Sequence, residues 1–161
     1  MSKRSVRAPE GLTSNSAAEV IERLAVVLAE TFVVQMKAQN FHWNVTGMAF
    51  GPLHDLFGKI YTEHFAAADD LAERIKALGG HADGRYAQFL KLSSIKESDG
   101  KLSAKEMVEA LRDDQRSLSA ALRALAETAN KHDDIVTNDM AIARAEAHDK
   151  FAWMLGAHLD A

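Results

Sequence analysis

Gly80-His81-Ala82-Asp83-Gly84-Arg85-Tyr86-Ala87-Gln88-Phe89-Leu90-Lys91-Leu92-Ser93-Ser94-Ile95-Lys96-Glu97-Ser98-Asp99-Gly100-Lys101-Leu102 is the stretch on which the architecture turns. It is too long and too rich in glycine and serine for a tight helix–helix turn, yet Tyr86, Phe89, Leu90 and Leu92 are spaced for a short helix inside it. Long amphipathic segments lie on both sides. Upstream, Leu53, Leu56, Phe57, Ile60, His64, Leu71, Ile75 and Leu78 form one stripe, with Pro52 in the first turn and Gly79-Gly80 as the stop. Downstream, Ser103-Ala104-Lys105-Glu106 is a capping box, and Val108, Leu111, Leu118, Leu122 and Leu125 follow at helical spacing.

Two outer helices complete the pattern. Ser16-Ala17-Ala18-Glu19 reads as a second capping box. Behind it run Ile21, Leu24, Leu28, Phe32 and Met36, flanked by Val20, Val27 and Val34, and this helix should stop near Val45, before Gly47. The last helix follows Thr137-Asn138-Asp139 and carries Met140, Ala147, Phe151, Met154 and Leu155. Linkers of about six residues between the first two and the last two helices make each pair antiparallel. A helix of about 28 residues is roughly 42 Å long, and the long crossover can return along it. The expected fold is all-α: a ferritin-like four-helix bundle with one long crossover containing a short helix.

Bulk composition narrows the function. The chain has 161 residues, 47% of them hydrophobic, enough for one packed domain. It has no cysteine, which excludes disulfides, thiolate metal sites and cysteine nucleophiles. No apolar run approaches the roughly 20 residues of a membrane span, and the basic start is not followed by an apolar segment, so the expected location is cytoplasmic. Net charge is −4, but Lys3, Arg4 and Arg7 come before any acidic residue. Residues 1–15 are therefore expected as a flexible basic tail and 16–161 as the bundle.

Candidate ligands are few. Asp69 and Glu73 are i,i+4 on the second helix and point the same way, about 200° from Leu71. From spacing alone a solvated carboxylate face is the simpler reading, as a satisfied structural histidine is for His42. The Glu-x-x-His motifs of a di-iron centre inside a bundle are absent. His42 should lie near residue 57 of the antiparallel second helix, roughly 18 Å from Asp69. One chain cannot bring these residues to one ion. Two antiparallel copies about a two-fold axis can, and Ala66, Ala67 and Ala68 would let the second copy approach closely.

Lys37-Ala38-Gln39-Asn40-Phe41-His42-Trp43-Asn44-Val45-Thr46-Gly47 resembles the signature of the Dps family, a Phe-His-Trp-Asn run closed by glycine. The likeness continues through Phe50, Leu53-His54, Tyr61, Asp69-Asp70-Leu71-Ala72-Glu73-Arg74 and Leu78-Gly79-Gly80. Further on, Ser94-Ile95-Lys96, Val136-Thr137-Asn138-Asp139 and Asp149-Lys150-Phe151-Ala152-Trp153 match later landmarks.

The resemblance implies a dodecameric shell that oxidises Fe(II), preferably with hydrogen peroxide, stores the ferric product and protects DNA from oxidative damage. It implies that Asp69 and Glu73 of one chain and His42 of its neighbour hold the first iron, with His54 helping to hold a second. Zinc would also suit such a donor set. It assigns Trp43 to quenching stray oxidising equivalents, for which packing at the interface is an equal reading. Asp133, Asp134 and Asp139 fall where related shells have an acidic iron-entry pore, although acidic residues at a helix N-terminus explain them as well.

One position departs from the family pattern. Many members carry a carboxylate four residues after the second histidine, where this chain has Gly58, and nothing in the sequence explains that mid-helix glycine. Lys3, Arg4 and Arg7 would bind DNA phosphates without sequence preference, or form only a solvated terminus. The rival reading is a nucleoid-binding shell whose metal site is vestigial or occupied by zinc.

Overall fold

The computed structural model describes residues 12–159; Lys3, Arg4 and Arg7 lie outside them. Within that range the chain is all-helical, with α1 (Ser14–Asn44), α2 (Phe50–Ala77), α3 (Tyr86–Leu92), α4 (Ala104–Lys131) and α5 (Ile135–Gly156). Helix α3 is the short helix of the crossover, and α1, α2, α4 and α5 are the bundle.

Side-chain ties fix the direction of each helix. Glu19 near the start of α1 meets Lys131 and His132 at the end of α4, while Lys37, further along α1, pairs with Asp114 at 2.6 Å. Helices α1 and α4 are therefore antiparallel. On the other side, Arg74 of α2 reaches Asp134 and Thr137 at the start of α5, and Glu63 reaches Arg144 further along it. The crossover thus returns the chain so that α2 and α4 run the same way, the connectivity that a short loop cannot give.

Local chemistry sets the helix ends. Ser103 and Glu106 form the expected reciprocal capping box. Ser16 and Glu19 do not. Thr13 caps α1 instead, its Oγ1 accepting from the Ser16 N–H at 3.2 Å, and Glu19 is drawn away to His132 at 2.6 Å. Helix α1 thus begins at Ser14, inside the segment expected to be tail. Helix α5 begins at Ile135 rather than after Thr137-Asn138-Asp139, because Asp134 supplies the cap. The α4–α5 turn shortens to residues 132–134. Gly79 closes α2 with φ +87°, a left-handed conformation that glycine adopts without a Cβ penalty.

The core lies in two apolar clusters. One joins Val20, Leu24, Leu28, Leu71, Ile75, Leu78, Phe89, Leu122 and Leu125; the other joins Val34, Phe41, Leu53, Phe57, Ile60, Leu111, Leu118 and Leu155. Each fully buried leucine, isoleucine or phenylalanine contributes about 1.5–3 kcal/mol. Three sequence expectations shift. Met36 is 43% exposed rather than buried. Ala67 and Ala68 pack into the core, leaving only Ala66 of the alanine triplet at the surface. The buried stripe of α5 is Ala141, Ala145, His148, Ala152 and Leu155, because apolar residues occur all round this helix and its small ones face its neighbours.

Candidate metal centre

His42 occupies the last turn of α1 and His54 the second turn of α2, and the five residues between these helices fold them together. Their rings stack with centroids 3.6 Å apart and planes 20° from parallel. Each Nδ1 lies against the other residue's backbone carbonyl, His42 Nδ1 at 2.7 Å from His54 O and His54 Nδ1 at 2.9 Å from His42 O. A carbonyl oxygen only accepts, so both Nδ1 atoms carry the proton, and in the neutral form of each ring the lone pair is on Nε2. That is the tautomer and second-shell arrangement of a metal-ligating histidine. Phe50 stacks on the outer face of His54 at 5.0 Å, and Tyr61 meets His42 edge-on at 5.2 Å.

Gly58 gains a reason. A Cβ at this position would lie 3.3 Å from both Cε1 and Nδ1 of His42. The His42 ring therefore rests over the one residue of α2 that leaves it room, and the helix-propensity cost of about 1 kcal/mol is offset by that packing.

The carboxylates are elsewhere on the subunit. Asp69 and Glu73 are exposed on α2, off its buried stripe. With His42 seated against His54 and Gly58, Asp69 is eleven residues further along α2, roughly 16 Å away. Among the described residues no three histidine, aspartate or glutamate side chains come together to hold an ion. Trp43, next to His42, is 62% exposed, and exposed Phe65 and half-buried Phe32 line the same groove as Asp69. Apolar surface thus surrounds both halves of the ligand set.

The two acidic pore candidates part company. Asp134 is 3% exposed. Its Oδ1 accepts from Arg74 at 2.6 Å and from the Thr137 N–H at 3.1 Å, and its Oδ2 accepts from Thr137 Oγ1 at 2.5 Å. That carboxylate is committed to the subunit as cap and buried ion pair, while Asp139 is exposed on α5.

The bundle interior holds a polar ring that sequence reading missed. Gln115 donates to His64 Nε2 at 3.2 Å and accepts from His148 Nδ1 at 2.6 Å; Arg144 donates to His148 Nε2 at 3.2 Å and pairs with Glu63. His64 Nδ1 faces Glu63 Oε2 at 3.1 Å, an ion-pair distance without hydrogen-bond geometry. Burial, then the neighbouring His64 and Arg144, push the His148 imidazole down to about 2. Burial would raise Glu63, but His64 and Arg144 outweigh it and hold the carboxyl at about 2. Where a metal centre inside the bundle would sit, a guanidinium and two imidazoles sit instead. The signals were present: Gln115 interrupts an apolar stripe, and Arg144 and His148 are i,i+4.

The ferritin-like domain family matches residues 21–161. The chain is 37% identical over 142 residues to DNA protection during starvation protein 2 of Bacillus anthracis, covering 88% of this chain and 97% of that protein. It is 39% identical over 145 residues to the DNA protection during starvation protein of Brevibacillus brevis, covering 87% and 97%. The fold superposes on a Dps protein from Bacillus brevis with TM-score 0.89 at 36% identity, covering 92% of this chain and 100% of that one.

This chain belongs to the Dps family.

A Dps protein from Vibrio cholerae O1, described as a member of a broad superfamily of ferritin-like diiron-carboxylate proteins, aligns with TM-score 0.92 at 28% identity over 99% of this chain and 100% of that one. Within this Dps chain the described helices place the paired histidines at one end of the α1–α2 hairpin and Asp69 and Glu73 well along α2. Among the described residues no helix is long and apolar enough to cross a membrane.

Proposed function

We propose that this Dps subunit is a ferroxidase and iron-storage protein whose oxidation site forms between two copies. The observation that carries the reading is the reciprocal His42–His54 clasp, which leaves two metal-ready Nε2 atoms with no carboxylate partner set on the same chain. Asp69 and Glu73 of a second, antiparallel copy supply the hard oxygens that Fe(II) prefers. The same contact covers Trp43, Phe65 and the groove beside Asp69. Such two-fold pairs, joined through further contacts, build a dodecameric cage with an interior for ferric mineral.

In the oxidation step the carboxylates and His42 would hold Fe(II) substrate; two Fe(II) give up one electron each to one hydrogen peroxide, the preferred oxidant, which takes up two protons and leaves as two waters. Trp43 stands beside the site to absorb one-electron leakage. Zinc competes for the same donors as a substitute ion. Asp139 attracts Fe(II) toward the shell entrance, and Lys3, Arg4 and Arg7 bind DNA phosphates without sequence preference, weakening steeply with salt. Iron removal and DNA contact together give the protective role.

The test is Fe(II) oxidation by stoichiometric hydrogen peroxide, comparing wild type with Asp69→Ala/Glu73→Ala on oligomers of verified size. Fast oxidation lost in the variant, with the shell intact, supports the shared site. Equal rates in both sink it and leave a DNA-packing shell as the better account.

A further inference from the structure

We propose that Gly58 limits each site to one tightly held divalent ion, with His54 facing a second position that lacks the negative charge to fill. The inference rests on the shared-site reading above and concerns how many ions that site retains.

The stack decides the geometry. An imidazole binds a metal in its own ring plane, along the Nε2 lone pair, at roughly 2.0–2.1 Å. His42 and His54 are 20° from parallel with centroids 3.6 Å apart, and each is locked by its Nδ1 donation to a backbone carbonyl. Two lone pairs in nearly parallel planes do not converge on one ion. They address two positions, one in the plane of each ring.

Charge then decides occupancy. The cleft around the two rings is lined by Asp55, Gly58, Lys59, Glu63 and Lys150. Glu63 is engaged by Arg144 and the buried polar ring and offers no free carboxylate. Asp55 is one residue past His54, and so turned about 100° from it around the helix. Gly58 is one turn beyond His54 on the same face, and a Cβ there would lie 3.3 Å from the His42 ring. This chain thus brings two imidazoles, with Lys59 and Lys150 outnumbering the one unpaired carboxylate of the cleft, Asp55, while the second copy brings Asp69 and Glu73. Two negative charges neutralise one divalent ion. A second ion a few ångströms away would face uncompensated repulsion, reinforced by Lys59 and Lys150.

The experiment is anaerobic Co(II) titration of the intact oligomer, read by visible absorption and by equilibrium dialysis. Wild type is expected to retain one Co(II) per subunit. Gly58→Asp, which places a carboxylate one turn from His54, is expected to retain two at the same free Co(II). Gly58→Ala adds the same Cβ beside His42 without the charge, so the expected result is a Gly58→Asp count one ion above that of Gly58→Ala, which separates crowding of His42 from electrostatics. Two ions in wild type, or an assembled Gly58→Asp oligomer that retains no more Co(II) than Gly58→Ala, overturn the proposal while leaving the shared site standing. No retained Co(II) in wild type overturns the shared site and this count together.

Discussion

At His42 and His54 the partners that orient the rings are backbone carbonyls, not side chains, and this gives the two histidines unequal sensitivity to mutation. His54→Ala keeps the His54 carbonyl, so His42 retains its Nδ1 acceptor at 2.7 Å and loses only the stacked ring. We predict that His54→Ala weakens Co(II) binding by less than about tenfold, whereas His42→Ala weakens it by about a hundredfold. Equal losses in the dialysis measurement would show that the stack, not the carbonyl, orients His42. The departure at Gly58 belongs to this scale too. In the sequence it is a helix-weakening residue with no cause; in the fold it is the floor beneath His42.

Helix ends show which local signals survive packing. The Ser103–Glu106 box forms as read because both residues are exposed and nothing competes for them. Ser16–Glu19 matches the same pattern but fails, since Glu19 faces Lys131 and His132 from α4. Asp134 is more than the acidic residue at a helix N-terminus that its sequence suggests, because it also forms a buried ion pair with Arg74, 60 residues away in sequence. The two working caps should therefore differ in cost. Ser103→Ala removes an exposed cap, about 1 kcal/mol. Asp134→Ala removes a cap and also leaves the largely buried Arg74 without its partner, about 3–5 kcal/mol. Urea unfolding of both variants checks the order, and similar midpoints would mean that Arg74 finds another acceptor.

Across the whole subunit, the ring of Glu63, His64, Gln115, His148 and Arg144 makes stability depend on pH. His148 is held neutral, its folded value of about 2 lying below the ordinary 6.5. The unfolded chain therefore takes up a proton that the folded one refuses, and stability is full above pH 6.5 and falls as the pH drops toward 2. Glu63, lowered from 4.5 to about 2, adds a loss of the same sign below pH 4.5. Between pH 6.5 and 4.5 only His148 contributes, at about 1.4 kcal/mol per pH unit. Thermal unfolding of wild type should weaken steadily through that window, and Gln115→Leu/His148→Leu should be distinctly flatter. Parallel profiles would place the acid sensitivity outside the ring.

Much of this protein is legible in its sequence because the signals are local. Four amphipathic stripes, the stop at Gly79 and a crossover too long for a hairpin specify the bundle and its connectivity. These features depend on the helix period and chain length alone. The run from Phe41 to Gly47 and the spacing from His42 to Glu73 point to the family by their resemblance to its signature. Side chains from distant segments decided the rest. The clasp that leaves two Nε2 atoms free, the reason for Gly58, the commitment of Asp134 to Arg74 and the buried ring on His148 each need α1, α2, α4 and α5 packed together. A polar group shows its partner only after the chain has folded, because burial forces it to find one and sequence distance does not say which.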